Sequence, residues 1–349
     1  MKLTQIFVST LFALTGSSLQ AGEPILSSTR ESTVDRSFFC DRADSYAPIG
    51  IMAEHIHHKG EFMVSARSMF MRMNQNYLGS RSVSDLRVQA EGFGIVPRDM
   101  DMQMHMFGAM YGLTDNLTLM GMVNLVELSM DHAFGPGLPV GNRFRTRSRG
   151  LGDASFGLIS RLWEDQDSIL TGGLSLMLPT AELNKRDFVP PAGGVRRLPY
   201  PMQLGSGSWG ISPTLTFKQY LPKWSYGFQA TAQILFDDNS EGYRLGNRIE
   251  ANAWVARPLT ENFSTSLRLS YSDWGNIEGS DPLIMGPVPT TRPDLRGGSR
   301  LDLFAGLSYA FTDSHARLGL EVGKTLYQDL DGPQLGNDFS AQIGLQYSW

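Results

Sequence analysis

The sequence predicts an all-β protein, a transmembrane antiparallel β-barrel of about twelve strands with its N- and C-termini on the periplasmic side. Three observations predict it: an export signal, segments in which apolar and polar residues alternate, and connections that are alternately short and long. Tight turns at one end of the strands, longer loops at the other and an even strand count are typical of outer-membrane barrels. We therefore expect the protein in the outer membrane of a Gram-negative bacterium.

The N-terminus has the three parts of a signal peptide over residues 1–21: the positive Lys2, the apolar run IFVSTLFAL and the small residues of TGSSLQAG. Its removal changes the net charge from −5 to −6, and this acidic balance argues against nucleic-acid binding, which usually needs a basic domain. Cys40 is the only cysteine, so an internal disulfide is excluded. We expect residues 22–60 to form a periplasmic N-terminal segment able to plug the lumen, and residues 61–349 to form the barrel.

Segments with period-two alternation run from Glu61 to the C-terminus. In WSYGFQATAQILF, every second residue from Trp224 to Phe236 is apolar, as expected of a strand with two different faces. Each segment is long enough for the ~9–11 residues that a tilted strand needs to cross a bilayer. The predicted strands are 62–73, 101–112, 115–129, 151–162, 168–179, 208–221, 224–236, 245–257, 260–272, 297–310, 314–326 and 337–349.

The connections between these strands alternate in length, and this separates a barrel from a soluble sandwich. Short turns fall at 113–114, 163–167, 222–223, 258–259 and 311–313, and longer loops lie between them. Closure of such a sheet removes the unpaired strand edges that lipid does not tolerate. The chain ends in SAQIGLQYSW, where Tyr347 and Trp349 resemble the terminal signature read by the barrel-assembly machinery, which we expect as a partner.

Several stretches resemble the Met- and His-rich members of the outer-membrane family known as "MetA-pathway of phenol degradation" transporters. They spread over residues 55–335 and are HIHHKGEFMVSARSMFMRM, MDMQMHMFGAMYGLTDNLTLMGMV, RGLGDASFGLI, GLSLMLPTAE, LGSGSWG, EGYRLGN and LYQDLDGPQL. The resemblance implies a pore or transporter for small hydrophobic or aromatic compounds, and it implies no catalytic residues.

The sequence favours passive uptake of a small solute, without a bound cofactor. No G-x-S-x-G elbow, HExxH helix or serine with a matched base occurs, so we do not expect an enzyme. Two alternatives remain open. One is copper or silver handling by a Met/His-rich wall, and the other is a structural or adhesive barrel with long external loops.

Methionine occupies alternate positions in RDMDMQMHMFGAM, and polar residues fill the gaps. Because polar residues are expected to face an aqueous lumen, we predict that Asp101, Gln103 and His105 point inward. Met100, Met102, Met104 and Met106 would then face lipid. In the neighbouring strands the same rule gives inward positions to Met63, Arg67, Met69, Met71, Met73, Met120, Met122 and Asn124.

Thirteen of the seventeen methionines lie between Met52 and Met130, and five of the six histidines lie between His55 and His132. The methionines can be plain hydrophobic surface, an adaptable apolar solute path, or soft ligands for Cu(I). The motif HIHHKGE can bind Zn(II) or Cu(II), with Cys40 as a further ligand, or can be a solvated leader. The candidate copper ligands are His55, His57, His58, His105, Met69, Met71, Met120 and Met122.

A row of arginines in GNRFRTRSRG lies on one face of a predicted strand at the second long loop. If that face continues it reaches Asp153, which suggests the lumen or its mouth. Guanidinium groups pair bidentately with carboxylate or phosphate. A pore mouth that attracts anions, an outer rim that binds lipopolysaccharide phosphates and a solvated basic loop all remain open. The row consists of Arg143, Arg145, Arg147 and Arg149.

Overall fold

A computed structural model describes residues 42–135, 142–311 and 315–349. The predicted signal peptide, Cys40 and part of the predicted turn at 311–313 lie outside the described residues. Within the described residues, no helix is long and apolar enough to cross a membrane. The regular structure there is dominated by strands.

The strands are β1 Phe62–Gly79, β2 Arg81–Val83, β3 Ile95–Thr114, β4 Leu117–Phe134, β5 Asn142–Leu151, β6 Ala154–Glu164, β7 Ser168–Leu178, β8 Arg186–Val189, β9 Gly194–Arg197, β10 Gly210–Tyr220, β11 Ser225–Leu235, β12 Tyr243–Arg244, β13 Arg248–Pro258, β14 Phe263–Trp274, β15 Glu278–Gly279, β16 Gly298–Phe311 and β17 Ala316–Ser348. One short helix, α1 Asp85–Ala90, begins after Ser84, whose side chain accepts a hydrogen bond from the Arg87 backbone. Single turns of 3-10 helix occur at Pro190–Ala192, Tyr200–Met202, Pro289–Thr291 and Pro293–Leu295.

Eleven of these strands form a closed antiparallel ring, because β17 pairs with β1. The strands β2 and β5 pair with β1 and β4 beside this ring, and the pairs β8–β9 and β12–β15 lie in the long loops. The ring consists of β1, β3, β4, β6, β7, β10, β11, β13, β14, β16 and β17.

The last strand, β17, is 33 residues long and folds back on itself. Its first part pairs with β16 and its second part pairs with β1. The Ser348 backbone donates to the His315 carbonyl at 3.1 Å, and the Asn337 amide donates to the Thr325 hydroxyl at 2.8 Å. These bonds place the two parts side by side, so the chain crosses the wall twelve times. The predicted all-β barrel of about twelve strands is confirmed.

The two ends of the barrel sequence meet at the edge that carries the short turns. Phe62 and Trp349 exchange two backbone hydrogen bonds of 2.9 Å, and their rings pack edge to face with centroids 4.9 Å apart. We call this edge the short-turn end, which corresponds to the periplasmic side in outer-membrane barrels. The opposite edge is the long-loop end.

The long loops pack against one another instead of projecting separately. Tyr200, Tyr243, Ile277 and Ile284 form one buried cluster drawn from three loops. Arg197, nearly inaccessible to solvent, donates to the Asp281 carboxylate at 2.8 Å. The loops therefore form a compact cover whose inner surface is available to the lumen.

Candidate functional site: the lumen and its two walls

Residues 42–60, which we call the inner segment, lie inside the ring. The backbone of the segment hydrogen-bonds to side chains of strands distributed around the whole circumference. A segment that contacts the inner faces of so many strands must lie within the barrel. The contacts come from Arg67 of β1, Thr118 of β4, Lys218 and Tyr220 of β10, Ser225 and Gln229 of β11, Ser264 of β14, and Arg317 and Glu321 of β17.

Two buried carboxylates fix the inner segment to the wall. Glu54 of the segment accepts from the Lys218 ammonium at 2.5 Å, and both side chains are at most 7% exposed. Burial alone would raise the pKa of Glu54, but the charge of Lys218 and the hydrogen bonds from Lys218 and His55 outweigh it and hold that pKa well below its usual range. Glu321 accepts from the Gly50 backbone at 2.5 Å and from two nitrogens of Arg268 at 3.0 and 3.1 Å.

Three adjacent strands, β1, β3 and β4, line the lumen with methionine. Arg67 reaches the inner segment, which fixes the inward face of β1, and the registers carry that face to β3 and β4. We call this surface the methionine wall. Its twelve thioethers are Met63, Met69, Met71, Met73, Met100, Met102, Met104, Met106, Met110, Met120, Met122 and Met130.

The faces predicted for β3 are reversed. His105 lies opposite Ser68 and hydrogen-bonds to its hydroxyl at 2.8 Å on the outer face, while Met104 lies opposite Met69 on the inner face. Asp101 and Gln103 share the outer face with His105. The prediction failed because it assumed an aqueous lumen, whereas the lumen at this wall is apolar.

The methionine wall connects the two ends of the lumen. Near the short-turn end, Met63, Met110 and Met120 pack together, with Ala53 and Ile56 of the inner segment against them. Toward the long-loop end, Met100 and Met130 form a buried cluster with three residues of the loop after β9. These are Leu198, Met202 and Leu204. The methionines therefore extend from the loop cover to the inner segment, and Arg67 and Asn124 flank Met106 between the two clusters.

The wall formed by β13, β14, β16 and β17 is charged. Its inward ion pairs include Arg268 with Glu321 at 3.0 Å and Arg300 with Asp302 at 2.7 Å. A guanidinium nitrogen of Arg300 also lies 3.9 Å from the Met71 sulfur. The lumen thus has one methionine-rich wall and one charged wall.

The arginine row lies on the outer face of the barrel, not in the lumen. Arg145 donates to both oxygens of Asp131 at 2.6 and 2.5 Å, and Arg149 pairs with Glu127 at 3.1 Å. These partners occupy the outer face of β4. The other members of the row, Arg143 and Arg147, are exposed on the same face of β5.

The face reverses between β5 and β6 because the chain gains one residue relative to β4. Leu125 pairs with Leu151, but Met122 pairs with Ser155, so one extra residue lies between them. Asp153 consequently points inward. Its carboxylate accepts from the Ser206 backbone at 2.6 Å and hydroxyl at 2.8 Å, and it also accepts from the backbone of the next residue in this loop.

The candidate copper ligands lie in separate places. His55 and His57 are in the inner segment, His58 is half-exposed 3.5 Å from Asp115, and His105 is on the outer face. The candidate thioethers, Met69, Met71, Met120 and Met122, line the methionine wall. Among the described residues, no group of three or more His, Cys, Asp or Glu side chains is placed to hold a metal.

The residues that hold the inner segment were missed by the sequence analysis. Lys218 is the only charge in TLTFKQY, and Arg317 and Glu321 are the two charges in ARLGLEVG; all three occupy inward positions. A charge on the polar face of a strand whose other face is apolar suggests a lumenal site. Its partner cannot be read from the strand, because Glu54 is 164 positions away from Lys218.

Comparisons with known proteins agree with this architecture. Residues 99–281, just over half of the chain, match the family described as "Putative MetA-pathway of phenol degradation". The COG4313 outer membrane channel from Pseudomonas putida F1 is 16% identical, with a TM-score of 0.58, over 85% of this chain and 98% of that chain. A Pseudomonas aeruginosa FadL homologue is 10% identical, with a TM-score of 0.41, over 82% of this chain and 90% of that chain.

No curated protein matches the sequence. The likeness to the COG4313 channel shows the fold of an outer-membrane barrel, in agreement with the closed ring and the short-turn end. Together with the family match, it means that the chain is an outer-membrane β-barrel that belongs to the MetA-pathway of phenol degradation family.

Proposed function

We propose that the protein is a channel for passive uptake of small hydrophobic or aromatic solutes across the outer membrane. The observation that carries the proposal is the methionine wall, whose twelve thioethers extend from the loop cover to the inner segment. Methionine is flexible and polarisable, so it adapts to apolar solutes of different shapes and makes favourable contacts with aromatic rings. Membership of a family linked to phenol degradation, and the fold shared with an outer membrane channel of Pseudomonas putida, support the same class of function.

The inner segment is proposed to act as the plug of this channel. It is held by the Glu54–Lys218 ion pair and by the Glu321 carboxylate at the short-turn end. A solute that follows the methionine wall arrives at Ala53 and Ile56 of the segment. Passage therefore requires the segment to move, and its release is the proposed opening step.

Charges placed on the methionine wall are expected to block solute flux. We expect replacement of Met69, Met71 and Met122 by Glu to lower uptake of a small aromatic hydrocarbon into proteoliposomes by tenfold or more, which equals at least about 1.4 kcal/mol. The reason is that an apolar solute can pass a hydrated carboxylate only if that carboxylate loses part of its hydration shell, which costs free energy. Flux is measured by solute accumulation, and heat-modifiable gel mobility reports that the barrel is folded.

The same positions replaced by Leu provide the matched control. Leucine keeps the bulk and apolar surface of methionine but removes the sulfur, so uptake should stay within about twofold of the wild-type rate. Equal flux through the Glu and Leu variants would contradict the proposed path.

The inward thioethers also favour a second candidate, a path for Cu(I), because soft sulfur ligands select this ion. The leucine variant separates the two functions. A copper path would lose Cu(I) binding in that variant while the folded barrel is retained. A hydrophobic-solute channel would keep its flux and would be indifferent to copper chelators.

The outer arginine row is proposed to bind lipopolysaccharide phosphates, with the surrounding outer-membrane lipid as its other contact. We expect that changing Arg143, Arg145, Arg147 and Arg149 together to Gln lowers the amount of lipopolysaccharide retained on the purified barrel by tenfold or more, because it removes the guanidinium groups that pair bidentately with phosphate. Retention is measured after detergent extraction by quantifying lipid A phosphate.

The matched control for this prediction removes positive charge at the opposite end. Lys223 and Arg257 lie at the short-turn end, where we expect no lipopolysaccharide. Their change to Gln should leave retention unaltered. Equal loss in both variants would mean a general charge effect and would remove the row as a binding site.

We propose that the barrel-assembly machinery recognises the C-terminal aromatic residues Tyr347 and Trp349. Tyr347 and Trp349 are exposed, and their rings lie 5.5 Å apart at the seam where β17 meets β1. This position at the closing seam supports the proposal, since the last strand must be held until it pairs with the first.

A further inference from the structure

Two histidines of the inner segment have the surroundings of metal ligands. The Nδ1 atom of His55 lies 2.9 Å from the Glu54 carboxylate, and the Nδ1 atom of His57 lies 2.9 Å from the Glu61 carboxylate. A carboxylate on one ring nitrogen fixes the tautomer, so that Nδ1 carries the proton and Nε2 has a lone pair. Metal-bound histidines are oriented in this way by their outer partners.

The Nε2 atoms of both rings are buried and have no hydrogen-bond partner. His57 is only 2% exposed. A buried polar atom without a partner costs free energy, which is unusual in a segment that otherwise satisfies its polar groups.

Both rings border one cavity of about 120 Å³ at the short-turn end. Their centroids are 4.9 Å apart, and the planes meet at 78°. An ion bound about 2.1 Å from each Nε2 lies about 3.2 Å from each ring centre. If both Nε2 atoms are directed at one such ion, the observed separation of the centres gives a ring–ion–ring angle of about 100°, which is near the tetrahedral value that Zn(II) adopts.

We propose that His55 and His57 form a zinc-binding site in the inner segment, with water from the cavity in the remaining positions. The cavity is large enough for such waters, since each takes about 30 Å³. Glu54 and Glu61 orient the two rings. The ion links two residues of the inner segment, and Thr118 accepts from the His57 backbone at 2.8 Å, so bound zinc favours the seated position of the segment.

This proposal does not depend on which solute the barrel conducts. It is tested on the full mature chain, refolded in detergent without a polyhistidine tag and stripped with a chelator. Zn(II) is titrated against a chromophoric zinc indicator. We expect one site per chain in the wild type, and at least tenfold weaker binding in both His55→Gln and His57→Gln.

The matched control is His58→Gln, because His58 borders the same cavity but is half-exposed and has its ring directed at Asp115, 3.5 Å away. Its zinc affinity should equal that of the wild type. As a second measurement, zinc should slow hydrogen exchange of residues 42–60 in the wild type and in His58→Gln, and in neither of the other variants.

Absence of a wild-type site, or an equal loss of affinity in all three variants, would overturn the proposal. If the variants do not fold, X-ray absorption of the zinc-loaded wild type decides the question. Two imidazole ligands support the site, and a shell without imidazole overturns it.

Discussion

A mature chain that lacks residues 42–60 is expected to conduct ions in steps across a planar bilayer, at a conductance at least tenfold above that of the full mature chain. The physical reason is that the inner segment occupies the short-turn end and touches inner faces around the ring, from Arg67 on β1 to Arg317 on β17. Barrels of eight strands are filled by their own side chains, whereas those of sixteen or more leave an aqueous channel. Twelve wall crossings give an intermediate lumen that needs additional chain to fill it.

A deletion of residues 22–41 is the matched control for this experiment, because it shortens the same terminus and keeps the whole inner segment. That variant should conduct no more than the full mature chain. If removal of residues 42–60 does not raise the conductance, the long loops alone close the lumen. The role of the inner segment as a plug is then wrong. Either result is read from single-channel traces of protein verified as folded.

The strands were predictable because each has two faces with different surroundings. The segment predicted at 224–236 is β11 Ser225–Leu235, and the one predicted at 297–310 is β16 Gly298–Phe311. Strand ends were less predictable, since β3 and β4 extend beyond the bilayer into the loop region. The predicted loop at 327–336 is strand throughout, because β17 turns back within a continuous ladder.

The inward and outward faces were predictable only where the usual polarity holds. On β1 the rule places Met69 and Met71 correctly toward the lumen, but on β3 it sends His105 to the wrong side. Polarity identifies a face only if one side is wetter than the other. The lumen face of β3 carries methionine and glycine, which are as compatible with lipid as with the lumen. The alternation on β3 therefore shows which residues share a face, but not which face points inward.

The arginine row illustrates a different limit. A shift of one residue moves every side chain of a strand to the opposite face. The extra residue between Leu151 and Ser155 has this effect, and it leaves Arg149 outside while Asp153 is inside. The sequence RGLGDAS does not indicate which of its residues has no partner on β4. Bulges are set by the pairing of two strands and are therefore visible only in the structure.

Replacement of Lys218 by Met is expected to destabilise the seated inner segment by about 3–5 kcal/mol, because it leaves the Glu54 carboxylate buried without its counter-ion. The two side chains are 7% and 4% exposed, so solvent cannot substitute for the lost ammonium. The variant should show faster proteolysis and hydrogen exchange of residues 42–60, while strand amides remain protected. The double variant with Glu54→Gln should recover most of the loss, since it removes both charges together.

The pH dependence of the wild type has a defined sign. The pKa of Glu54 is held below its usual range in the folded state, so its contribution to stability is fully present above the ordinary carboxyl pKa of about 4.3. It is lost only as the pH falls from there through the lowered folded-state pKa. Protection of the inner segment in the wild type should therefore be constant from pH 8 to pH 5 with respect to this group.

The control for Lys218→Met is Lys185→Met, which breaks an ion pair with Glu182 on a long loop. That carboxylate is 45% exposed, so water replaces the lost partner and the change should cost no more than about 1 kcal/mol. Both substitutions delete the same ammonium group. A larger loss of stability in Lys218→Met than in Lys185→Met would therefore be caused by the burial of the Glu54–Lys218 pair. If Lys218→Met releases the inner segment no more than Lys185→Met does, the buried ion pair does not hold the segment. Arg67, Arg317 and Glu321, which hydrogen-bond to the backbone of the segment, would then be the charged anchors to test.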